Sequence, residues 1–177
     1  MKKNWFKYTI AFISVLLVRM IPFRVPNVEP IMAVVSPFGK TYGGWMAFMF
    51  GSFSIIIYDS FTSGLGVWTL VTAIAYGLVG YGASFYFKKR SGWKSYASYA
   101  VFATIFYDAI TGLTIGPLFF HQSFMLSLIG QIPFTTFHLL GNVSFAIILS
   151  PAIEMWAIKS KERTVFKRVE ERAVLVN

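Results

Sequence analysis

Long apolar runs separated by short polar clusters dominate this sequence. Ionisable residues concentrate in the first seven residues, in residues 19–29, in residues 88–94 and in the segment from Lys159 onward. Each apolar run between these clusters contains at most one or two ionisable residues. Because a helix needs about 20 apolar residues to cross a bilayer, charges confined to the ends of such runs predict membrane spans.

The fold class expected from this pattern is an all-α integral membrane protein, a compact bundle of about six transmembrane helices in a single membrane domain over residues 1–177. An earlier start of the second span, in Ile31–Val35 with a break at Pro37 and Gly39, stays open. Pro133 and the pair Thr135–Thr136 are the reason for separating the last two spans. The predicted spans are residues 5–21, 43–58, 67–87, 96–113, 118–133 and 137–158, followed by a basic cytoplasmic tail at 159–177.

The distribution of lysine and arginine predicts the orientation. An even number of spans puts both termini on one side, and both termini are basic, which predicts cytoplasmic N- and C-termini. The basic connection Lys88–Lys94 would then face outside, against the usual tendency. The first apolar run is followed by Arg19–Pro22 and by no small-residue cleavage site, so we expect an uncleaved first helix.

Composition supports the membrane assignment. The chain has 56% hydrophobic and 13% charged residues, whereas a soluble domain has about 25% charged residues. Its net charge is +9, but the basic residues flank apolar spans. Contact with membrane lipid is therefore favoured over nucleic-acid binding. The chain has no cysteine, which removes disulfide and thiolate chemistry.

Small residues recur at helical spacing in three of the predicted spans, and those of the sixth are Gly141 and Ser144. Without a hydrophobic drive between helices in lipid, such residues predict close helix packing. The second span carries Gly44, Ala47 and Gly51, and the third carries Ala73, Gly77, Gly80 and Ser84.

An internal echo relates two of the helix ends. Tyr58-Asp59 recurs as Tyr107-Asp108 within similar apolar surroundings. A repeat of two crossings preserves orientation, so both aspartates are expected at the same, cytoplasmic face. They can cap the following helix or form part of a proton relay.

The connection after the first span contains three prolines, which predict a stiff, extended loop. This loop displays Arg24, Asn27 and Glu29. Its polar residues fit either the lid of a binding site or an ordinary interfacial turn.

The last two predicted spans carry Gln131, His138 and Asn142 near the same outer face. His138 and Asn142 are four residues apart and share one side of a helix. Polar side chains at membrane depth usually face the bundle or a cavity, so these residues either bind a substrate or join helices. We find no catalytic set, metal constellation or nucleotide motif, and predict no enzyme activity, metal or cofactor.

Several of these residues resemble a known family. They are Arg19-x-x-Pro22, the loop Pro26–Ala33, the Gly43-Gly44 step, Asp59 and the Leu140-Gly141-Asn142 step. Together with size and predicted span number, they resemble the substrate-binding S components of energy-coupling factor (ECF) transporters across nearly the whole chain.

The resemblance implies a prokaryotic cell-membrane protein that captures a vitamin or related micronutrient at its outer face. Its partners would be a transmembrane coupling protein and two ATPases. The implied substrate-binding residues are Asn27, Glu29, Gln131, His138 and Asn142, with Arg24 available to a carboxylate. The implied coupling surface on the first helix consists of Ala11, Ser14, Val15 and Val18, where the family more often has alanines.

Two other functions fit the same sequence. One is a stand-alone secondary transporter or channel that uses Asp59 and Asp108 as an ion path. The other is a scaffold subunit without transport activity. The sequence does not name the ligand; a polar, cationic or amide-bearing molecule with an aromatic body suits the candidate residues.

Overall fold

The computed structural model describes residues 2–21 and 29–174, and the side chains of residues 5–21 and 29–156. These residues form helices and connections, with no β-strand among them. The helices are α1 (Lys2–Arg19), α2 (Ile31–Tyr42), α3 (Gly44–Phe61), α4 (Val67–Tyr86), α5 (Trp93–Gly112), α6 (Ile115–Phe119) and α7 (Phe124–Val174). The predicted all-α class is confirmed.

Three segments of the described chain are long and apolar enough to cross a membrane. They are Val67–Tyr86, Trp93–Phe119 and Phe124–Trp156. Many large apolar side chains on the helices are exposed, including Phe102 at 64% and Ile148 at 69%. An outer surface of this kind is what a lipid environment requires, and it supports the membrane class.

One predicted loop contains a helix. The residues before the predicted second span form α2, which continues through Pro37 and Gly39 and ends at Tyr42. The chain breaks instead at Gly43, where φ is 93°. Glycine adopts such a value without steric cost, and this one residue separates α2 from α3.

The boundary predicted between the fifth and sixth spans was wrong, because α7 runs without interruption through Pro133 and Pro151. Membrane helices tolerate proline when neighbouring groups satisfy the freed backbone. The pair Thr135–Thr136 does not interrupt the helix either. The Thr136 hydroxyl donates to the Ile132 carbonyl at 2.9 Å, and Thr135 accepts from the Gln131 amide at 3.2 Å.

Helix α2 lies at the centre of the bundle. Every residue from Ile31 to Gly39 is buried, and the helix packs against α3, α4 and α7. The Phe38 ring lies 5.2 Å from the ring of Phe50 on α3. On the other side, the Ser150 hydroxyl of α7 donates to the Ala33 carbonyl at 2.7 Å.

Helices α3 and α4 approach each other through their small residues. A Cβ added to Gly51 would lie 2.6 Å from the Tyr76 carbonyl oxygen, and one added to Gly80 would lie 2.5 Å from the Ala47 carbonyl oxygen. Both distances are shorter than van der Waals contact. The predicted small-residue packing of these two helices is therefore confirmed.

Basic residues from several helices meet at one end of the bundle, which we call the basic end. Lys40, near the end of α2, forms an ion pair with Glu154 of α7 and donates to the Arg90 carbonyl at 3.0 Å. Near the start of α1, Lys7 donates to the Trp156 carbonyl. The start of α1, the connection 88–92 and this part of α7 therefore share the basic end.

Asp59 and Asp108 lie towards the opposite end, near the C-terminal ends of α3 and α5. They were expected on one face together with the termini. The additional helix α2 reverses the direction of each later helix relative to the prediction, up to α5. It also brings the basic connection 88–92 to the end where α1 starts.

Candidate functional site

Six polar side chains gather inside the bundle, towards the end opposite the basic end. They come from α1, from the connection before α2, from α5 and from α7. We call this group the buried polar cluster, and it consists of Arg19, Glu29, Thr104, Asp108, His138 and Asn142.

Four members of the cluster form two side-chain pairs that join α5 to α7. Asp108 Oδ1 lies 2.7 Å from His138 Nδ1, and the Asn142 amide donates to the Thr104 hydroxyl at 3.0 Å. Thr104 and Asp108 are one helical turn apart, as are His138 and Asn142, and the two helices run antiparallel. All four side chains are at most 2% exposed as residues.

The other two members form an ion pair at the end of α1. Arg19 Nη1 lies 2.6 Å from Glu29 Oε2, and the two side chains are 8% and 12% exposed. The guanidinium carbon of Arg19 also stands 4.2 Å from the centre of the Tyr58 ring of α3. A planar cation over an aromatic face is held in a defined orientation.

Two aromatic rings, those of Tyr76 and Tyr107, lie near the Arg19–Glu29 pair and beside the Asp108–His138 pair. The rings of Tyr76 and Tyr107 are 4.3 Å apart, and the His138 ring meets Tyr107 edge-on at 5.5 Å. Both tyrosines are within electrostatic range of Arg19, Glu29 and Asp108. The Arg19–Glu29 and Asp108–His138 pairs therefore lie near the same two tyrosine rings.

Three buried side-chain atoms in the described part of the chain have no hydrogen-bond partner, and all three belong to the cluster. They are Arg19 Nε, Asp108 Oδ2 and Asn142 Oδ1. An unsatisfied buried polar atom costs about 1–3 kcal/mol, and more when the group is charged. One donor and two acceptors of the cluster therefore have unused hydrogen-bonding capacity.

The predicted binding residues divide into three groups. Glu29, His138 and Asn142 lie in the buried polar cluster. Gln131 does not: its amide oxygen occupies the space above Gly112, 1.7 Å from where a Cβ would be. Arg24 and Asn27 lie outside the described residues.

The two echoed aspartates have different surroundings. Asp59 accepts a 2.6 Å hydrogen bond from Thr69 in the first turn of α4, and Thr69 in turn accepts from the Gly66 amide at 3.2 Å. Asp59 thus supports the start of the following helix, but through a threonine and not directly. Asp108 does not cap a helix, because it pairs with His138.

Sequence reasoning missed Arg19, Thr104 and the two tyrosines as parts of a site, and considered Asp108 for helix capping or for a proton or ion path. A usable signal existed for the charged members. Ionisable residues within or at the end of an apolar run are costly and usually have a functional reason. For Thr104, Tyr76 and Tyr107 no comparable signal exists, because such residues are common in membrane helices.

The residues suggested for partner docking on α1 do not share a surface. Ala11 and Val15 are 8% and 2% exposed and pack into the core. Ser14 and Val18 are exposed. Only Ser14 and Val18 of this set are therefore accessible to another chain.

The carboxylate and histidine groups do not assemble into a metal site. Among the residues that the structure describes, no group of three or more His, Cys, Asp or Glu side chains is placed to hold a metal ion.

Comparisons with protein-family models, with curated proteins and with solved structures found no match to this chain.

Proposed function

We propose that the chain is the substrate-capture subunit, or S component, of an ECF-type importer for a vitamin-like micronutrient. The observation that carries this proposal is the buried polar cluster with its three unpartnered atoms. The resemblance of the first loop and of the Leu140–Asn142 step to S components agrees with it.

The charge distribution supports an orientation with the cluster nearer the outer face. Lys7, Lys40, Arg90 and their neighbours lie at the basic end, and basic residues favour the cytoplasmic side. In this orientation the basic connection 88–92 also lies on the cytoplasmic side, as basic residues usually do. The six long helices α1–α5 and α7 then form the membrane bundle. Helix α2 spans only about 18 Å at 1.5 Å per residue, but it is surrounded by protein.

The cluster favours a ligand with both hydrogen-bond donors and an acceptor. Asp108 Oδ2 and Asn142 Oδ1 accept hydrogen bonds, and Arg19 Nε donates one. The adjacent rings of Tyr76 and Tyr107 suit a flat heterocycle. A micronutrient or precursor with amine or amide N–H groups on an aromatic ring meets these requirements.

Release of the ligand in this scheme depends on partners, because the sequence contains no nucleotide-binding motif. A transmembrane coupling protein and two ATPases would supply that step. The exposed face of α1, which includes Ser14 and Val18, is the surface we assign to the coupling protein. The chain itself then binds without catalysis, in the cell membrane of a prokaryote.

A thermal-shift screen of the detergent-purified chain against vitamins and their precursors tests the proposal. A ligand at 100 times its dissociation constant adds about 2.7 kcal/mol to the free energy of unfolding. Asn142→Ala removes one acceptor and should weaken binding of the hit by roughly tenfold or more.

Asp59→Asn is the matched control. Asp59 is a buried carboxylate in the echoed position, but its partner is Thr69, outside the cluster. The variant should keep the ligand-dependent shift even if its own melting temperature falls. A flat response of a well-folded protein across the whole panel would reject the capture function.

The Asp108–His138 pair favours one second candidate, a stand-alone proton-coupled carrier, because both groups exchange protons. In that case the chain alone, reconstituted in liposomes, would accumulate substrate when a proton gradient is applied. Asp108→Asn would abolish that accumulation. Uptake that requires added coupling protein and ATP would exclude the carrier.

A further inference from the structure

A groove between α4 and α5 lies outside the buried polar cluster. It encloses about 550 Å³ and opens on the outer surface of the bundle. Its walls are apolar and rich in aromatic rings, including Phe85, Tyr86, Tyr99, Phe102 and Phe106. Phe85 and Phe102 are 54% and 64% exposed.

The groove has the length of one leaflet. It runs along α4 from Leu78 to Tyr86, next to the basic end. Eight residues of helix at 1.5 Å per residue correspond to about 12 Å. Half of a hydrocarbon core of about 30 Å is close to this length.

Two cations rest on the groove wall next to the basic end, and a third stands at the start of α5. Arg90 lies 4.3 Å from the centre of the Tyr86 ring, and Lys88 lies 5.2 Å from that of Phe85, so both cations rest on rings of the groove wall. Lys94, at the start of α5, lies 5.6 Å from the ring of Trp93. Among the side chains that the structure describes at this end, Glu154 is acidic, and it is engaged by Lys40 and Tyr96.

From this arrangement we infer that the α4–α5 groove binds one anionic phospholipid of the leaflet at the basic end. One acyl chain occupies the groove, and Lys88, Arg90 and Lys94 contact the phosphate and headgroup. An apolar channel of one leaflet's depth with cations at its interfacial end matches both parts of such a molecule. This inference does not depend on the identity of the captured micronutrient.

Native mass spectrometry of the full chain with added phosphatidylglycerol or phosphatidylcholine tests this site. We expect one retained phosphatidylglycerol, preferred roughly tenfold or more over phosphatidylcholine. Each lysine or arginine near a membrane surface contributes about fivefold in affinity for anionic lipid. The triple variant Lys88→Gln, Arg90→Gln, Lys94→Gln should therefore lose the preference.

Two variants separate the contribution of charge to lipid binding from that of the apolar groove. Lys89→Gln removes an exposed charge from the same connection, outside the three ring contacts, and should keep most of the preference. Gly82→Leu places a side chain beside Tyr99 and should lower retention of both lipids. If Gly82→Leu does not fold, soluble glycerol phosphate serves in its place and should not be retained by the wild-type chain, since it lacks an acyl chain.

Equal retention of the two lipids by the wild-type chain would overturn the inference, as would an unchanged preference in the triple variant. A photo-crosslinker in place of Phe102 provides an independent readout in native membranes. Crosslinking to phospholipid supports the site. Crosslinking to a coupling protein or to a second copy of the chain would show that the groove is a protein interface.

Discussion

The contact between α3 and α4 and the contact between α5 and α7 join antiparallel helices in opposite ways. In the first, Gly51 and Gly80 bring backbone against backbone, with no room for a Cβ. In the second, two hydrogen-bonded pairs, Asp108–His138 and Thr104–Asn142, hold the helices through side chains. A membrane bundle uses both means because lipid supplies no hydrophobic drive for helix association.

The difference separates a scaffold from a site. The α3–α4 contact leaves no buried side-chain nitrogen or oxygen unpartnered among its described residues, and its buried carboxylate, Asp59, accepts from Thr69. The α5–α7 contact leaves Asp108 Oδ2 and Asn142 Oδ1 without partners. Close packing thus holds α3 and α4 together, whereas the α5–α7 contact keeps two acceptor atoms that can still form hydrogen bonds.

Of the substitutions that test this comparison, removal of Asp108 should lower the free energy of unfolding most. Asp108→Ala removes a hydrogen bond to a carboxylate and leaves His138 buried without its partner, which together cost roughly 3–5 kcal/mol. Denaturant unfolding of the detergent-solubilised protein measures the loss. Asp59→Ala should cost less, about 1–3 kcal/mol, because it removes a hydrogen bond from a neutral hydroxyl.

The double variant Asp108→Leu, His138→Leu is the second arm of this test. It removes both members of the pair together and should be more stable than Asp108→Ala. The stability that the double variant loses is compared with the summed losses of Asp108→Leu and His138→Leu measured singly. If the two values are equal, the pair does not act as a unit.

Substitution of Gly80 should have the next largest effect. In Gly80→Ala the new Cβ would lie 2.5 Å from the Ala47 carbonyl oxygen, so the helices must separate. Overpacking of this kind costs roughly 1–3 kcal/mol in unfolding free energy.

Gly130→Ala on α7 is the control, since nothing lies within 4 Å of its added Cβ. Alanine has the higher helix propensity, and this variant should gain up to about 1 kcal/mol. Equal losses for the two variants would mean that the α3–α4 approach is looser than described.

Thr104→Val should have the smallest effect of the three. The variant keeps the shape of the side chain but leaves the Asn142 amide without its acceptor. Hydrogen bonds between membrane helices contribute about 0.6–2 kcal/mol. Urea titration of the variant in detergent gives the value.

Thr111→Val on the same helix is the comparison. The Thr111 hydroxyl donates only to the Tyr107 carbonyl of its own helix, at 2.9 Å, and that carbonyl remains available to the helix. Its loss should be smaller than that of Thr104→Val. The reverse order would argue against the inter-helix bond as a source of stability.

Local pattern was sufficient for a large part of the fold. Apolar runs with charges at their ends predicted a helical membrane protein, and small residues at helical spacing predicted close helix packing, which the α3–α4 contact shows. His138 and Asn142 were placed on one helix face by their spacing alone. These features depend only on the period of the helix and on the solvent around it.

Helix number and direction depended on information that a local pattern does not contain. Residues 31–42 had the composition of a connection with an apolar segment, and only their burial among other helices explains α2. Pro133 signalled a boundary, but a proline in a packed membrane helix can be accommodated. Each such error reverses the helices that follow until another compensates it.

The sequence by itself determined that this protein is helical, built for a bilayer and basic at particular connections. Only the tertiary structure decided that Asp108 meets His138, that Arg19 meets Glu29 and that Gln131 stays apart. The reason is physical: a residue's helix face follows from its own neighbours in the chain. Its partner across the bundle follows from the rotation and register of a second helix, which the packing of the whole molecule sets.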